Sequence, residues 1–313
     1  GWIPMNNMDA NVYFTVLILG GLAVIIYSKL MLADITIKLP DSVPPSVAKA
    51  FTAIIPAAAA LYLTAIIYYV FSLTIGKDGT NVIRWVQATI AEPFMNLAQG
   101  PAAVVIVTVM ISILWFFGLH GPNILAPVLE GIWGQGQLHN VNTFQQGGMS
   151  AVYDAIEKGN GEAFRWVRGS FDSFSWFGGS GGTLTLLIVI LVLSKRADYK
   201  TVAKLGMGPG LFNINEPVMF GLPIVLNPIM LIPFIVAPVV STMIGFVATQ
   251  LSLVNPVVVA VPWVVPPFLM SFLATGGDWR APIVTLVSFA ATLVIWAPFV
   301  IAANAQEASS LGE

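Results

Sequence analysis

The chain has 313 residues, of which 57% are hydrophobic and only 9% charged, with a mean hydropathy of +0.85, where an ordinary soluble domain carries about 25% charged residues. This excludes a water-soluble globular enzyme with one core, a disordered chain and a coiled coil, and leaves a polytopic membrane protein. The net charge of -2 argues against a nucleic-acid partner, and the absence of Cys removes disulfides, thiolate nucleophiles and Cys-based metal sites. With His120 and His139 as the two imidazoles, neither a multi-histidine metal centre nor a cofactor is expected.

A bilayer core of about 30 Å needs roughly 20 apolar residues per helix. In chain order, Val12–Ala33, Ala50–Ile75, Ala102–Leu119, Thr183–Ser194, Ile229–Gln250 and Ala281–Ala303 meet or approach that requirement. Asp34–Ser46 reads as a cytoplasmic connection into a helix starting near Val47. Gly134–Glu162 is the most polar stretch and reads as a surface loop with a short helix at Ala151–Lys158. Leu251–Ala274 is apolar but interrupted by Pro256, Pro262, Pro266 and Pro267, which predicts either a kinked span or an irregular, protein-buried segment. Basic residues cluster at Lys29, Lys38 and Lys49 and again at Lys195, Arg196, Lys200 and Lys204. The positive-inside tendency puts both clusters in the cytoplasm. An even number of crossings must then separate them, which asks for a hidden one in Pro122–Trp133 or Phe164–Phe177. The fold class is therefore all-α and polytopic, with about 6–7 transmembrane helices, re-entrant hairpins and cytoplasmic connections. The chain starts at Gly1 rather than Met and shows no signal peptide, which reads as a mature fragment or a shortened chain.

Chemistry concentrates in three segments. In Trp115–Asn123 (WFFGLHGPN) an apolar run ends at His120 among Gly and Pro. An imidazole there either faces a cavity or partner, or is satisfied at a helix end. In Met207–Pro228 (MGPGLFNINEPVMFGLPIVLNP), Glu216 stands among apolar residues beside Asn213, Asn215 and Pro217. A lone carboxylate at membrane depth is a functional-site hypothesis by default, and the prolines and glycines around it predict a re-entrant hairpin with its tip at Asn213–Pro217. The alternative is a loop carboxylate in water. In Phe171–Gly182 (FDSFSWFGGSGG) the glycines permit tight turns, with no Lys-Ser/Thr in P-loop spacing. Ile90–Met95 and Ile214–Met219 share I-x-E-P-x-M, which raises the prospect of an internal repeat of broken helices. Trp2, Trp85 and Trp279 suit membrane interfaces, while Trp115, Trp176 and Trp263 adjoin broken segments where a ring can stack on a sugar face or simply pack.

Five segments, WFFGLHG, KLPDSVPPSVAKAF, FGGSGGTL, RADYKTVAKLG and above all NINEPVMFGLPIVLNP, resemble the lactose/cellobiose/diacetylchitobiose family of phosphotransferase-system enzyme IIC components, from about Lys38 to the C-terminus. The resemblance implies a homodimeric permease of the bacterial inner membrane that imports a β-linked disaccharide. A cytoplasmic IIB partner, itself phosphorylated on Cys, would then phosphorylate the sugar's 6-hydroxyl. It further implies an N-terminal interface region and a C-terminal transport region, here residues 1–46 and 47–305 with a tail at 306–313, and a chain beginning late relative to the family. The family's key His and Glu fall on His120 and Glu216, both expected beside the hydroxyl that receives phosphate. Asn213, Asn215 and Asn123 are candidate hydroxyl partners by position, and Trp115 and Trp263 candidate stacking platforms.

Two other classes compete. A proton- or sodium-coupled secondary transporter would use Glu216 as its coupling carboxylate. A membrane-embedded hydrolase or transferase would use His120 and Glu216, but the chain offers neither a nucleophile motif nor a metal constellation. No independent catalysis is expected of the chain without its phosphoryl donor.

Overall fold

The computed structural model describes residues 12–40, 42–75 and 81–310, with side chains to residue 304. Trp2 and the end of the expected tail lie outside the described residues. The chain divides into two compact units, Gly1–Pro93 and Phe94–Glu313.

In the first unit, α1 (Tyr13–Leu32) packs along α2 (Pro45–Thr74) and touches α3 (Val82–Val86). The connection after α1 turns at Asp34, whose carboxylate pairs with Lys38. Pro45 opens α2, a position where the missing N–H costs no hydrogen bond. Asn81 caps α3 by accepting the Arg84 N–H at 2.9 Å. A π-helical turn, Gln87–Ala91, leads from α3 into α4 (Glu92–Leu97).

The second unit carries α5 (Pro101–Phe116), α6 (Gly121–Ile124), α7 (Ala126–Val128), a π-helical turn at Leu129–Gly134, α8 (Gln135–Lys158) and α9 (Arg168–Phe174). These are followed by α10 (Thr183–Leu193), α11 (Ala197–Leu211), α12 (Glu216–Gly221), α13 (Pro228–Gln250), α14 (Pro267–Ala274) and α15 (Arg280–Ser310). Helix α13 is its axis, packed on α5, α9 and α15, and α15 in turn packs on α10 and α14. The short helix α9 is buried at every position from Gly169 to Phe174. In an apolar interior its terminal carbonyls need partners. Hydroxyls on the long helices supply them: Ser241 donates to the Phe174 carbonyl at 2.6 Å and Thr285 to that of Ser173 at 3.3 Å.

All six apolar helices expected from the sequence are present. Four of them (α1, α2, α13 and α15) are long and apolar enough to cross a bilayer unaided. Helix α10 has 11 residues, about 17 Å of length and half a bilayer core, so the span expected at Thr183–Ser194 is a half-length piece ending at the extended Ser194. The polar stretch Gly134–Glu162 is corrected most: it is no loop but the 24-residue helix α8, bent where Gly147 and Gly148 leave helical geometry. Its polar residues are spent on distant backbone. Asn140 accepts the Phe164 N–H at 2.7 Å and donates to the Phe164 and Val257 carbonyls, both at 2.8 Å. Pro209 does not stop α11, which carries it in its last turn.

The proline-rich run 251–266 is irregular and buried only in part. Val254, Val257 and Val258 are buried, and the Val258 and Val259 N–H groups share the Ala274 carbonyl at the end of α14. Asp278 anchors the far side by accepting the Asn255 N–H at 2.8 Å and pairing with Arg280 at 2.9 Å. Burial pushes its carboxyl up, but the Arg280 guanidinium and the Asn255 and Arg280 N–H groups outweigh this and hold it below the usual carboxylate range. The two halves of the I-x-E-P-x-M echo fold differently. Ile90–Met95 passes through the π-helical turn into α4, whereas Ile214–Met219 runs from the hairpin tip into α12.

Candidate functional site

Helix α5 ends at Phe116, and Gly118, at φ +75°, turns the chain back toward it. A Cβ on Gly121 would lie 2.4 Å from the Ile111 carbonyl oxygen, so the turn hugs α5 more closely than any side chain permits. This close passage sets His120 at the N-cap of α6, where its Nδ1 accepts the Asn123 N–H at 3.2 Å. With Nδ1 accepting, the neutral ring carries its proton on Nε2. The Trp115 ring backs the imidazole, with centroids 4.7 Å apart.

On the other side, α11 and α12 form the expected hairpin, with Asn213 at φ +61° in its tip and Glu216 opening α12. The tip is held by asparagine amides. Asn213 Oδ1 accepts the Gly178 N–H at 3.0 Å, and its Nδ2 donates to the Trp263 carbonyl at 2.7 Å and the Val265 carbonyl at 2.9 Å. Asn215 Nδ2 donates to the Ser180 carbonyl at 3.1 Å. The glycine loop can receive them because Gly178, Gly179, Gly181 and Gly182 all have positive φ, and a Cβ on Gly181 would lie 2.1 Å from the Phe234 ring. A further bond, Leu226 N–H to the Phe116 carbonyl at 2.9 Å, ties the exit of this hairpin to the end of α5.

The result is a cavity of about 290 Å³ on which the two segments converge. His120 Nε2 lies 3.6 Å from Glu216 Oε1, and both side chains are partly open to it. The remaining wall is Arg168, Asp172 and Trp176, then Gly179 and Ser180, with Pro122, Asn123, Asn213, Asn215 and Trp263 completing the lining. Arg168 lies nearly buried, its Nε 2.9 Å from Glu130, its Nη1 2.7 Å from Asp172 and its guanidinium carbon 4.9 Å from the centre of the Trp176 ring. The volume is at the low end of the several hundred Å³ usual for small-molecule sites. Its polar groups are hydroxyl, amide, imidazole and carboxylate with an already paired guanidinium. That set offers the donors and acceptors a hydroxyl-rich ligand needs.

The profile of the family described as "Phosphotransferase system, EIIC" matches residues 1–238. This chain belongs to the phosphotransferase-system EIIC family. It is 56% identical to the cellobiose-specific EIIC component of Lactococcus lactis subsp. lactis (strain IL1403), over 99% of this chain and 65% of the relative. It is 36% identical to the oligo-beta-mannoside-specific EIIC component of Bacillus subtilis (strain 168), over 96% of this chain and 64% of that protein. The chain thus spans somewhat under two thirds of these relatives' length. Among solved structures it is similar to the transporter ChbC, the IIC component from the N,N'-diacetylchitobiose-specific phosphotransferase system. The TM-score is 0.78 at 33% identity, covering 100% of this chain and 69% of that one. With its apolar helices, this EIIC chain is a multi-pass membrane protein.

Of the residues singled out in the sequence, His120, Glu216, Asn123, Asn213, Asn215 and Trp263 line one cavity. Trp115 does not. It is 1% exposed, lies behind His120, and its indole N–H has no partner. Arg168, Asp172 and Ser180 escaped the sequence reading. Arg168–Asp172 is an (i, i+4) pair, the one local signal available. Ser180 lay inside a motif already flagged for its glycines.

Proposed function

We propose that this chain is the sugar-binding and translocating part of a phosphotransferase permease in the bacterial cell membrane. It takes a β-linked disaccharide of the cellobiose, diacetylchitobiose or lactose type and presents its 6-hydroxyl to a phosphorylated IIB partner. The reading rests on the His120–Glu216 pair. An oxygen about 2.8 Å from each receives the Nε2–H of His120 and gives its own proton to Glu216, which is what one sugar alcohol needs. Glu216 then assists deprotonation as the hydroxyl attacks phosphorus. The chain's lack of Cys fits a phosphate arriving from a partner. Asn123 and Asn215 offer further hydroxyl partners, and Trp263, 52% exposed on the cavity wall, offers a stacking face. Asn213 and Trp115 act one layer back, on the loop and on His120.

We assign residues 1–46 to the interface region and its cytoplasmic connection and 47–305 to transport. This is a division of labour, distinct from the division into compact units. The working assembly is a homodimer in a lipid bilayer, with no cofactor.

Isothermal titration of the solubilised chain against cellobiose, lactose and diacetylchitobiose is expected to give binding that ranks the three. Vesicle uptake is expected to need phosphorylated IIB and to survive an uncoupler. Uptake that an uncoupler abolishes, with IIB irrelevant, would transfer Glu216 to the coupling role of a secondary transporter.

A further inference from the structure

We propose that Ser180 is a phosphoryl-binding residue of this cavity, holding a non-bridging phosphoryl oxygen on its hydroxyl and its backbone N–H. The inference rests on the permease reading and names the part of the same site that meets the phosphate.

Ser180 is 5% exposed and lines the cavity. Its carbonyl is already occupied by Asn215 Nδ2. Among the described residues, neither its hydroxyl nor its N–H is bonded to any protein atom. Its neighbours differ. Thr183 donates to the Gly178 carbonyl at 2.5 Å, Thr185 to the Gly182 carbonyl at 2.6 Å, and the Ser175 hydroxyl is shared with Thr242 at 2.5 Å. The Ser173 hydroxyl has no partner, but that residue is sealed in the core. Ser180 lines the cavity, so a ligand there can bond its hydroxyl.

The form of the vacancy points to phosphate rather than to a sugar alcohol. With its carbonyl spent, Ser180 presents a backbone N–H that can only donate beside a hydroxyl that can donate as well, on a backbone whose flanking glycines have positive φ. Loops of this kind turn N–H groups into concavities that suit anions. Helix α10 starts three residues later and adds the positive end of its dipole. Through Asn215 the loop is tied to the residue immediately before Glu216, so the donors belong to the same rigid tip as the base.

In the transfer, the S–P bond of the partner's cysteinyl phosphate breaks as an O–P bond forms to the sugar's C6 oxygen. The hydroxyl proton passes to the Glu216 carboxylate, and sulfur leaves as thiolate on the partner. Charge on the non-bridging oxygens is what a fixed donor pair stabilises.

Because the Ser180 hydroxyl bonds to no protein atom, Ser180→Ala removes no contact of the fold. The test is titration of the purified chain with cellobiose and with cellobiose 6′-phosphate. Ser180→Ala is expected to lower the ratio of phosphate to sugar affinity by about 10- to 100-fold, the scale of a hydrogen bond to a charged group. Ser180→Thr is expected to restore that ratio. An unchanged ratio in Ser180→Ala, or wild type that binds cellobiose but not its 6′-phosphate, overturns this inference and leaves the permease reading standing. Wild type that binds neither ligand overturns both.

Discussion

The asparagine tip and the His120–Glu216 edge line the same cavity and are built on opposite plans. At the tip, the Asn213 amide makes three hydrogen bonds to backbone of the glycine loop and of the 263–265 run. At the edge, His120 spends one nitrogen on Asn123, and its other nitrogen faces Glu216 across 3.6 Å, beyond direct hydrogen-bond reach. One region is a fixed wall and the other an open mouth for an oxygen. The difference teaches that polar residues in a broken membrane segment divide into those that complete the backbone and those that wait for a ligand. Sequence spacing alone does not separate the two kinds.

Substitutions can break that division. The largest effect is expected from Glu216→Gln, which keeps the shape and removes the base. Phosphorylation-coupled uptake should fall by roughly 10²–10⁴-fold, the range of general-base help, while thermal unfolding of the solubilised protein stays put. Normal uptake in this variant would return Glu216 to the fixed wall. Asn213→Ala should do the reverse and act on the fold. It strands the Gly178 N–H and two carbonyls, and at about 1–3 kcal/mol for each group left unpaired the cost in stability is about 3 kcal/mol or more. Unaltered stability with lost sugar binding would make Asn213 a ligand residue instead. His120→Ala is expected to be milder. Losing one hydrogen bond to the sugar should weaken binding by roughly tenfold, as read by titration, and losing the α6 cap on the Asn123 N–H should lower stability by about 0.5–2 kcal/mol.

The sequence carried much of this. Apolar runs located the helices α1, α5 and α13 to within a few residues, and α2 and α15 with one end each five to seven residues short, because lipid and core both demand continuous apolar faces. The isolation of His120 and Glu216 among apolar residues marked each as a candidate, and the family resemblance joined them as a pair. What it did not carry rests on long-range hydrogen bonding. Helix α8 looked like a loop because its polar residues had no visible reason to be helical, yet Asn140 finds its partners 24 and 117 positions away. The Arg168 wall was hidden for the same reason, since Glu130 lies 38 positions upstream. Asn213 was legible as polar and important, but its partners at 178, 263 and 265 were not.

The same division separates the two tryptophans named as stacking platforms, and it supplies the finest test. Trp263 is half exposed on the cavity wall, while its carbonyl serves the Asn213 amide. Its backbone thus belongs to the fixed wall and its ring to the open edge. Trp263→Ala keeps the carbonyl and removes only the ring, so it should weaken disaccharide binding by roughly 0.5–1.5 kcal/mol, a scale taken from aromatic pairs, with stability unchanged. Trp115 is buried against His120 with an unpaired indole N–H. Trp115→Phe keeps an aromatic surface behind the imidazole and deletes the unsatisfied donor, so it should leave affinity nearly intact and stability equal or slightly higher. If affinity instead falls more in Trp115→Phe than in Trp263→Ala, the sugar is held from the His120 side. The ring of Trp263 would then be a surface residue beside a cavity it does not serve.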